Sequence, residues 1–392
     1  MEKRVPVLWN HQKDCCGCSA CLAVCPTNAI YMEMNERGFQ YPKIDQDKCI
    51  GCHSCEKVCS YKTDLDSNVQ SKAQYEIYGV KAKDRNIIKS SSSGGMFTIL
   101  SDWILAHGGA IISALYNMEK SIVEYKLYTD VGTRDSARGS KYIQADMDNV
   151  FREGYGWLQH NPKENLMFVG TGCQVAGFRA YTEFKKVRDR VILVDLICHG
   201  APSPGLWLKY ADGLQKEHGA VPQNVVFKDK RNGWMEPTVY ASINGEELCI
   251  EGYSGWFYGD YSLRESCYQC PYTQIERNSD ITIGDFWGVN NVYPEFYDFM
   301  GVSLVIVQSE MGKNIFEMIK DKIDCISLEE KDCLQPRLIS PATRPKNADK
   351  FWKDIHSKGL EYCEKKYTEY HRNTVFDKVI TKLRGIIKTM LR

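Results

Sequence analysis

Eight cysteines near the amino terminus limit what this chain can fold into. They form two runs with the same spacing, C-x2-C-x2-C-x3-C. The first run is Cys15, Cys18, Cys21 and Cys25, and the second run is Cys49, Cys52, Cys55 and Cys59. Three closely spaced thiolates can wrap one face of a compact iron–sulfur cluster, so that the fourth ligand comes from elsewhere. The spacing therefore predicts iron–sulfur ligation within residues 1–62.

Pro26 follows the first run, as it does in bacterial two-cluster ferredoxins, where the fourth cysteine of each run binds the other cluster. We therefore assign one 4Fe-4S cluster to Cys15, Cys18, Cys21 and Cys59. The second 4Fe-4S cluster is assigned to Cys49, Cys52, Cys55 and Cys25. Zinc and disulfides are the alternatives, but zinc sites usually pair two-cysteine knuckles across a longer loop. Cys16 lies outside the spacing and is interpreted as a spare thiol beside the cluster.

The composition narrows the class of protein. A chain of 392 residues is too long for a ferredoxin alone and suggests two or three domains. Its 50 basic and 50 acidic residues cancel, which argues against nucleic acid as the main partner. Cysteines at cluster spacing point to a reducing compartment. The chain begins with no signal sequence and has no apolar run long enough for a membrane helix, so we expect a cytoplasmic protein.

The pattern along the chain predicts an α+β protein. Residues 1–62 are expected to form a bacterial-type dicluster ferredoxin module, with a short hairpin over residues 29–42, and residues 63–75 to form a linker. Apolar bursts alternate with helical spacing over residues 76–310, which predicts a mixed α/β domain. Residues 311–392 are expected to be a helical carboxyl-terminal part.

The last residues, 376–392, combine an apolar stripe with five basic side chains at helical spacing. This pattern predicts a basic amphipathic helix. Such a helix could dock on the core of the chain itself, on a partner subunit or on an anionic membrane surface.

Four further cysteines lie in settings that suit metal ligands. Cys173 and Cys198 each follow a predicted strand, so both are expected at the carboxyl edge of a sheet, where α/β folds bind ligands. Cys267 and Cys270 form a C-x2-C knuckle. The four could supply the sulfurs of a third cluster; a structural zinc or buried free thiols are the alternatives. The remaining cysteines, Cys249, Cys325, Cys333 and Cys363, are interpreted as small buried hydrophobes.

Several loops rich in small residues are suited to phosphate. A serine–glycine loop opens a predicted helix, and amide groups at a helix start together with serine hydroxyls bind anions. The candidate cofactor residues are Ser92, Ser93, Gly94, Gly95, Gly139, Ser140, Lys141, Thr171 and Gly172. Together they predict a cofactor with phosphates and a ring system, such as a flavin; a serine-capped turn is the alternative. The absence of G-x-G-x-x-G after a strand argues against an ordinary nicotinamide site.

Several short blocks of residues lie between residue 76 and about residue 310. In their residues and their order, they resemble the beta subunit of coenzyme F420 hydrogenase/dehydrogenase and its standalone bacterial relatives. The blocks are Ser92–Gly95, Gly139–Tyr142, Gly170–Gln174, Cys198–Pro204, Phe227–Trp234, Cys267–Cys270 and Asp280–Gly288. One departure is Gly172, where many relatives have proline before the cysteine.

The resemblance implies an FAD- and 4Fe-4S-dependent oxidoreductase. It implies a third 4Fe-4S cluster in the flavin domain, with ligands Cys173, Cys198, Cys267 and Cys270. Electrons would pass from an external ferredoxin or a redox partner subunit to a small molecule, either the deazaflavin coenzyme or another compound. The alternative is a non-catalytic electron-transfer subunit of a larger redox complex.

Three side chains are candidates for work beside the flavin. Lys141 and Lys228 could neutralise phosphate or reduced flavin, and His199 could tune the adjacent cluster or relay protons. Lys141 and His199 are the candidate catalytic residues. The alternative for each is a purely structural role.

Overall fold

The computed structural model describes residues 4–62, 75–236 and 238–368. Its strands are β1 (Ile30–Met34), β2 (Gln40–Ile44), β3 (Glu76–Ala82), β4 (Ala110–Asn117), β5 (Ile122–Tyr128), β6 (Leu166–Thr171), β7 (Val191–Leu196), β8 (Gln223–Asp229), β9 (Thr238–Ile243), β10 (Glu246–Cys249), β11 (Ile281–Asp285), β12 (Ser303–Val307) and β13 (Ile323–Ser327). Its helices are α1 (Ala20–Val24), α2 (Ser54–Lys57), α3 (Arg85–Lys89), α4 (Met96–Ala106), α5 (Val131–Arg134), α6 (Val150–His160), α7 (Gly172–Phe184), α8 (Pro204–His218), α9 (Glu251–Tyr258), α10 (Val289–Val292), α11 (Glu310–Met318), α12 (Glu330–Cys333), α13 (Pro336–Ile339), α14 (Ala348–Ser357) and α15 (Leu360–Tyr367). The predicted basic tail, and all of the predicted linker except Tyr75, lie outside the described residues.

The amino-terminal module is built from two similar halves around a hairpin. Strands β1 and β2 pair antiparallel, with Ile30 opposite Ile44, which confirms the predicted hairpin. Each half then contributes one short helix, α1 or α2. Both helices begin after a residue in the left-handed region, Ser19 with φ 61° and His53 with φ 58°. The repeated cysteine spacing thus folds into a repeated loop-and-helix unit.

An eight-stranded mixed sheet forms the centre of the described chain, in the order β13-β3-β12-β11-β7-β6-β4-β5. The middle strands β11, β7, β6 and β4 are parallel, and the strands on both sides of them are antiparallel. The parallel strands are continuous apolar runs, such as Leu166–Val169 in β6. Such runs are typical of strands that are buried on both faces. The expected mixed α/β architecture is confirmed.

Successive side chains of the central strands point into two separate cores. In β6, Leu166 and Phe168 pack in one core with residues of α6 and α7. Met167 and Val169 pack in the other core with residues of α4 and α11. Because strand side chains alternate between faces, the sheet is covered by helices on both sides.

The amino-terminal module shares the first of these cores. Ala20 and Val24 of α1 and Val58 after α2 are buried together with Phe178 of α7. Arg152 of α6 donates hydrogen bonds of 2.8 Å and 2.9 Å to the carbonyl groups at the end of α1. The last carbonyls of a helix generally lack amide partners within it, and the guanidinium supplies donors to them. The module is therefore packed directly against one face of the large sheet.

The rest of the chain adds a small sheet and an edge strand. Strands β8, β9 and β10 form a three-stranded antiparallel sheet. The expectation of a helical part after residue 310 is wrong in one place, because β13 lies there and pairs antiparallel with β3. This strand is only five residues long, Ile323–Ser327, and its pairing with β3 decides its conformation more than its own residues do. None of the helices in the described ranges is long and apolar enough to cross a membrane.

Candidate functional site

The cysteines of the two runs surround two cavities. The first cavity is lined by the thiol-bearing residues Cys15, Cys18, Cys21 and Cys59, and also by Cys16. The second cavity is lined by Cys25, Cys49, Cys52 and Cys55. Each cavity thus combines three cysteines of one run with the fourth cysteine of the other. All 17 cysteines lie within the described residues, and all are free thiols.

The two cavities differ in their distance from the surface. Cys52 in the second cavity is exposed, and its neighbour Ile50, which also lines that cavity, is 62% exposed. Amide and hydroxyl hydrogen bonds from Ser54 lower the pKa of Cys52. The first cavity lies between α1 and the polypeptide that follows α2, with Tyr61 among its lining residues. The second cavity is therefore the more accessible from outside.

The thiols of the first cavity need a compensating positive charge. Burial raises the pKa of Cys21 well above its usual value, and the neighbouring thiols of Cys18, Cys15 and Cys59 raise it further. Burial also raises the pKa of Cys59 to about 11. Such groups become thiolates only when a cation, such as the iron of a cluster, offsets their charge. The donor chemistry of this cavity fits a cluster.

The spatial arrangement of the donors points the same way. Within residues 4–62, 75–236 and 238–368, no three His, Cys, Asp or Glu side chains converge as they would around a single ion. The cysteines stand apart around each cavity instead. In a 4Fe-4S cluster each thiolate binds a different iron, so its ligands surround a volume rather than a point.

The third cysteine set, Cys173, Cys198, Cys267 and Cys270, also comes together. Cys173 lies in the first turn of α7 and Cys198 follows β7, so both lie at the carboxyl edge of the sheet. Burial raises the pKa of Cys198 to about 12, and the thiols of Cys173 and Cys270 contribute to this rise. Burial likewise raises the pKa of Cys267 well above its usual value, with the other members of the set adding to it. The four thiols thus form one group of mutually repelling donors.

Cys16 joins the first cavity to the third cysteine set. Its buried thiol donates hydrogen bonds to the thiols of both Cys173 and Cys18, and these bonds raise the pKa of Cys16 well above its usual value. The bond from Cys16 is also the main reason that the pKa of Cys173 falls to about 7. The sequence indicated that Cys16 lies beside a cluster, but no spacing rule could reveal its second contact with Cys173.

The predicted serine and glycine loops meet each other. Ser140 Oγ donates a 2.9 Å hydrogen bond to Ser92 Oγ. Ser93 Oγ instead donates to the backbone carbonyl of Val302 at 2.7 Å. Gly94 is required by close packing, because an added Cβ would lie 2.3 Å from the carbonyl oxygen of Val80. Ser92 and Ser140 are therefore the hydroxyl groups at which the two loops face each other.

The two other glycines of these loops adopt backbone conformations that favour glycine. Gly95 has φ 100° and precedes α4, and Gly139 has φ 81°. Nothing lies within 4 Å of an added Cβ at Gly139, so this side of the loop faces open space.

Lys228 is buried and Lys141 is partly buried, and acceptors of the chain itself hold both. Lys141 Nζ donates to the carbonyl oxygens of Ala137 at 2.5 Å and Arg138 at 2.9 Å, and burial lowers the pKa of Lys141 to about 7. Lys228 Nζ lies 2.5 Å from Asp285 Oδ2. It also lies over the rings of Trp234 and Trp287, at 5.6 Å and 5.5 Å from their centroids. The charge of Lys228 is thus compensated within the chain.

His199 lies between the third cysteine set and a group of aromatic rings. Its Nε2 is 2.7 Å from Asp260 Oδ1, and its ring meets Phe257 edge-on with centroids 4.8 Å apart. Phe257 also stacks on the ring of Tyr142, with the ring centroids 4.6 Å apart. The phenol group of Tyr142 in turn interacts with Tyr258 and with Ser140. These rings, Tyr142, Phe257 and Tyr258, form an aromatic group between His199 and the serine loops.

Thr171 and Gly172 lie beside the third cysteine set and not in the serine loops. Thr171 Oγ1 is 3.3 Å from Cys173 Sγ and donates to Gln174 Oε1 at 2.9 Å, which caps the start of α7. An added Cβ at Gly172 would lie 2.9 Å from the Cβ of Tyr272. The close approach of Tyr272 therefore favours glycine at this position.

A functional side chain that the sequence did not single out is Arg264. It is fully buried next to Cys15 of the first cavity, with Nη2 3.7 Å from the Sγ atom. The one feature of the sequence that points to Arg264 is its position three residues before Cys267.

Comparison with known proteins identifies both parts of the chain. Residues 163–332 match the family described as the C terminus of the coenzyme F420 hydrogenase/dehydrogenase beta subunit. Residues 14–63 match the 4Fe-4S dicluster domain. The chain therefore contains a carboxyl-terminal domain of the coenzyme F420 hydrogenase/dehydrogenase beta-subunit type after a dicluster domain. The resemblance seen in the residue blocks is thereby confirmed, and the dicluster domain supports two 4Fe-4S clusters in the amino-terminal module.

Some individual relatives match most of this chain, and others match only its amino-terminal module. The F subunit of F(420)H(2) dehydrogenase from Methanosarcina mazei is 22% identical over 328 residues, which are 79% of this chain and 83% of that protein. The VorC subunit of ketoisovalerate oxidoreductase from Methanothermobacter marburgensis is 34% identical over 61 residues, 15% of this chain and 75% of that protein. A chain of the F420-reducing [NiFe] hydrogenase complex from Methanosarcina barkeri is 16% identical with a TM-score of 0.47; the match covers 77% of this chain and 91% of that one.

The packing of α7 against the module generates a prediction about Gly177. An added Cβ there would lie 2.7 Å from the Sγ atom of Cys18. We expect Gly177→Ala to displace this thiol and to remove about four irons per chain after anaerobic reconstitution, measured by iron analysis. Gly156→Ala in α6 is the control, because nothing lies within 4 Å of its added Cβ and alanine favours a helix by about 1 kcal/mol. Full iron in Gly177→Ala would contradict the role of Cys18 as a ligand.

Cys16 gives a second prediction. Because the first cavity has four other cysteines, we expect Cys16→Ser to retain the iron content of the unchanged chain. A serine hydroxyl can still donate hydrogen bonds to the thiols of Cys18 and Cys173. Iron analysis of the reconstituted variant checks this, and a loss of about four irons would make Cys16 a ligand.

Proposed function

We propose that this chain is an iron–sulfur flavoprotein oxidoreductase that moves electrons between ferredoxin-type clusters and a two-electron carrier through FAD. The observation that carries the proposal is the contact of Cys16 with both Cys18 and Cys173. This contact makes the first cavity and the third cysteine set immediate neighbours, so that redox centres in both would be close enough to exchange electrons.

The ligand sets follow from the groups of thiols. The first cavity would hold one 4Fe-4S cluster on Cys15, Cys18, Cys21 and Cys59. The second cavity would hold another on Cys25, Cys49, Cys52 and Cys55. A third 4Fe-4S cluster would be bound by Cys173, Cys198, Cys267 and Cys270, whose mutual repulsion in a buried site needs the positive charge of iron.

The exposure of the second cavity supports an order for these centres. Cys52 is exposed there, so an external ferredoxin or a partner subunit would exchange electrons with this cluster. The cluster of the first cavity and the third cluster would follow, linked by Cys16. We assign this activity to the reducing cytoplasm, where thiolate ligands persist. We also propose residues 1–62 as the dicluster domain, 76–310 as the flavin and cluster domain and 311–392 as the carboxyl-terminal region.

The loops around Ser92 and Ser140 are the proposed FAD site. Their hydroxyls and the amides at the start of α4 would hold the phosphates, and the open space at Gly139 leaves room for them. The remaining residues proposed to border this cofactor are Ser93, Gly94, Gly95, Lys141, Thr171, Gly172 and Lys228. When bound, FAD supplies the exchange of single electrons for electron pairs.

The side chains of the site can handle the accompanying proton. His199 is positioned by Asp260, which can accept a hydrogen bond from Nε2 while Nδ1 remains available to take or give a proton. Lys141, with its pKa lowered to about 7 by burial, gains a proton below neutral pH and loses it above. We propose both as the proton-handling residues of the reaction.

The substrate class is a small two-electron carrier. A relative that covers most of this chain is a subunit of F(420)H(2) dehydrogenase, which supports the deazaflavin coenzyme as one candidate. Another redox-active small molecule is the second candidate within this class.

The alternative function is that of a non-catalytic electron-transfer subunit. It is favoured by the internal compensation of the charge of Lys228 by Asp285, which leaves that cation engaged with the chain itself. It is also favoured by the names of the relatives in Methanosarcina mazei and Methanothermobacter marburgensis, both of which are subunits of oxidoreductases.

The content of iron and flavin tests the proposal. We expect about twelve irons and one FAD per chain after anaerobic reconstitution, since each 4Fe-4S cluster contributes four irons. Cys270→Ser should lower the iron to about eight, whereas Cys249→Ser, at the end of β10, should leave it unchanged. About eight irons and no flavin in the unchanged chain would instead favour the electron-transfer subunit.

An added negative charge tests the proposed FAD site. Ser140→Glu places a carboxylate where the two loops meet, and we expect most of the FAD to be lost because the carboxylate repels its phosphates. Iron should remain at the level of the unchanged chain. Ser357→Glu, on the exposed end of α14, is the control for the added charge. Flavin fluorescence after release from the protein measures the result, and full FAD in Ser140→Glu would exclude this site.

A further inference from the structure

Arg264 is a buried guanidinium that is surrounded by neutral groups and thiols. Its side chain donates hydrogen bonds to the carbonyl oxygens of Cys15 at 2.7 Å and Gln40 at 2.9 Å, and to Gln144 Oε1 at 3.0 Å. It lies over the ring of Tyr41 at 4.0 Å. The charges that act on Arg264 come from thiols and from the phenol of Tyr41. Within the described ranges, no ion pair joins Arg264 to a carboxylate.

The other fully or nearly fully buried arginines of the described chain have carboxylate partners. Arg134 pairs with Asp102 and Asp135. Arg277 pairs with Asp195 at 2.8 Å. Burying a charge without a partner of opposite sign is costly, which is why such pairs are the rule. The missing partner of Arg264 must therefore be an anionic group that this part of the molecule binds.

The surroundings of Arg264 identify that anion. The guanidinium lies behind the loop of the first cavity, with Nη2 3.7 Å from Cys15 Sγ. The loop wraps closely around it, because an added Cβ at Gly17 would lie 3.0 Å from Nη1. Gly17 has φ 73°, a conformation that favours glycine and permits this close approach. A 4Fe-4S cluster with four thiolates carries net negative charge, so it supplies the missing partner.

We propose that Arg264 is the buried counter-charge of the 4Fe-4S cluster in the first cavity and that it raises the reduction potential of that cluster. This inference rests on the ligand set proposed for the first cavity. Reduction adds one electron and one negative charge to the cluster. A fixed positive charge stabilises the reduced form more than the oxidised form, so the midpoint potential rises.

The cations near the second cavity are less buried than Arg264. Arg152 donates to the carbonyl oxygen of Cys25 at 2.9 Å but is only partly buried. Lys57, whose charge acts on Cys52, is exposed. In the part of the chain that the structure describes, the second cavity thus has no fully buried cation beside it.

The lining of the second cavity is mainly apolar, with Pro6, Ile30 and Ile44, and it contains neither lysine nor arginine among the described residues. The ionisable group in that lining besides the cysteines is His53, which pairs with Glu56 near the surface. Asp14 lines the first cavity, but its carboxylate accepts a hydrogen bond from the amide of His11 at 2.8 Å and is partly exposed. Water screens such charges, whereas Arg264 is shielded from it.

The backbone of Arg264 ties this charge to the third cysteine set. Its amide donates to the carbonyl oxygen of Ala201 at 3.0 Å, and its carbonyl accepts from the amide of Cys267 at 2.9 Å. Arg264 thus belongs to the loop that carries Cys267 but extends its side chain to Cys15. The third set and the counter-charge of the first cavity are built from one segment.

The test is a potentiometric titration of the reconstituted full chain, followed by electron paramagnetic resonance. We expect Arg264→Gln to keep its iron and to lower the midpoint potential of one ferredoxin-type cluster, while the other keeps its potential. Arg264→Lys should retain most of the unchanged potential, because it keeps the charge. The signal that is missing in Gly177→Ala identifies the cluster of the first cavity. Arg134→Gln is the control, a buried arginine whose loss should move neither potential.

Several outcomes would overturn the inference. Full iron and unchanged potentials in Arg264→Gln would do so, and so would equal shifts of both clusters. If Arg264→Gln loses iron, Arg264→Lys is compared with the unchanged chain instead. A lowered potential with full iron in Arg264→Lys would contradict a role of the charge, and a retained potential would support it. The inference concerns only the two ferredoxin-type clusters, so the test stands even where FAD or the third cluster is not found.

Discussion

The repulsion between buried thiols is the constraint on which the rest of this structure depends. Burial raises the pKa of cysteines in both the first cavity and the third set, and neighbouring thiols raise it further. Thiolates in such surroundings are stable only with positive charge beside them, so metal binding and folding are coupled here. The chain reduces the remaining charge with amide donors, such as that of Ala201 to Cys267, and with the guanidinium of Arg264.

The shared core of the module and the sheet converts two separate sets of donors into neighbours. Helix α1 packs on α7, and the first turn of α7 carries Cys173. Gly177, one turn further along, has no side chain and so lets Cys18 approach. The same packing brings Cys16 into contact with both sets. The proposed electron exchange between the module and the third cysteine set would therefore follow from how two helices pack.

The sequence predicted what is local and missed what is distant. The crossed grouping of Cys25 and Cys59 is encoded in a spacing of a few residues, so it was within reach of a pattern. The partner of Arg264 is Cys15, 249 residues away, and Cys16 meets Cys173 only through the packing of helices. The short strand β13 was missed for the same reason, since its pairing with β3 comes from a distant part of the chain. The lysines were identified by type, but only the structure shows their acceptors.

Those acceptors bear on how phosphate could be bound. Lys228 is held by Asp285, and Lys141 by two backbone carbonyls, so neither cation is directed freely at the serine loops. What faces the meeting point of the loops is the pair of hydroxyls of Ser92 and Ser140. Hydroxyl and amide groups bind phosphate by directed hydrogen bonds and change little with pH. Recognition of a cofactor here would thus depend on the shape of the loops, while the buried charge of Arg264 would act on the cluster proposed for the first cavity.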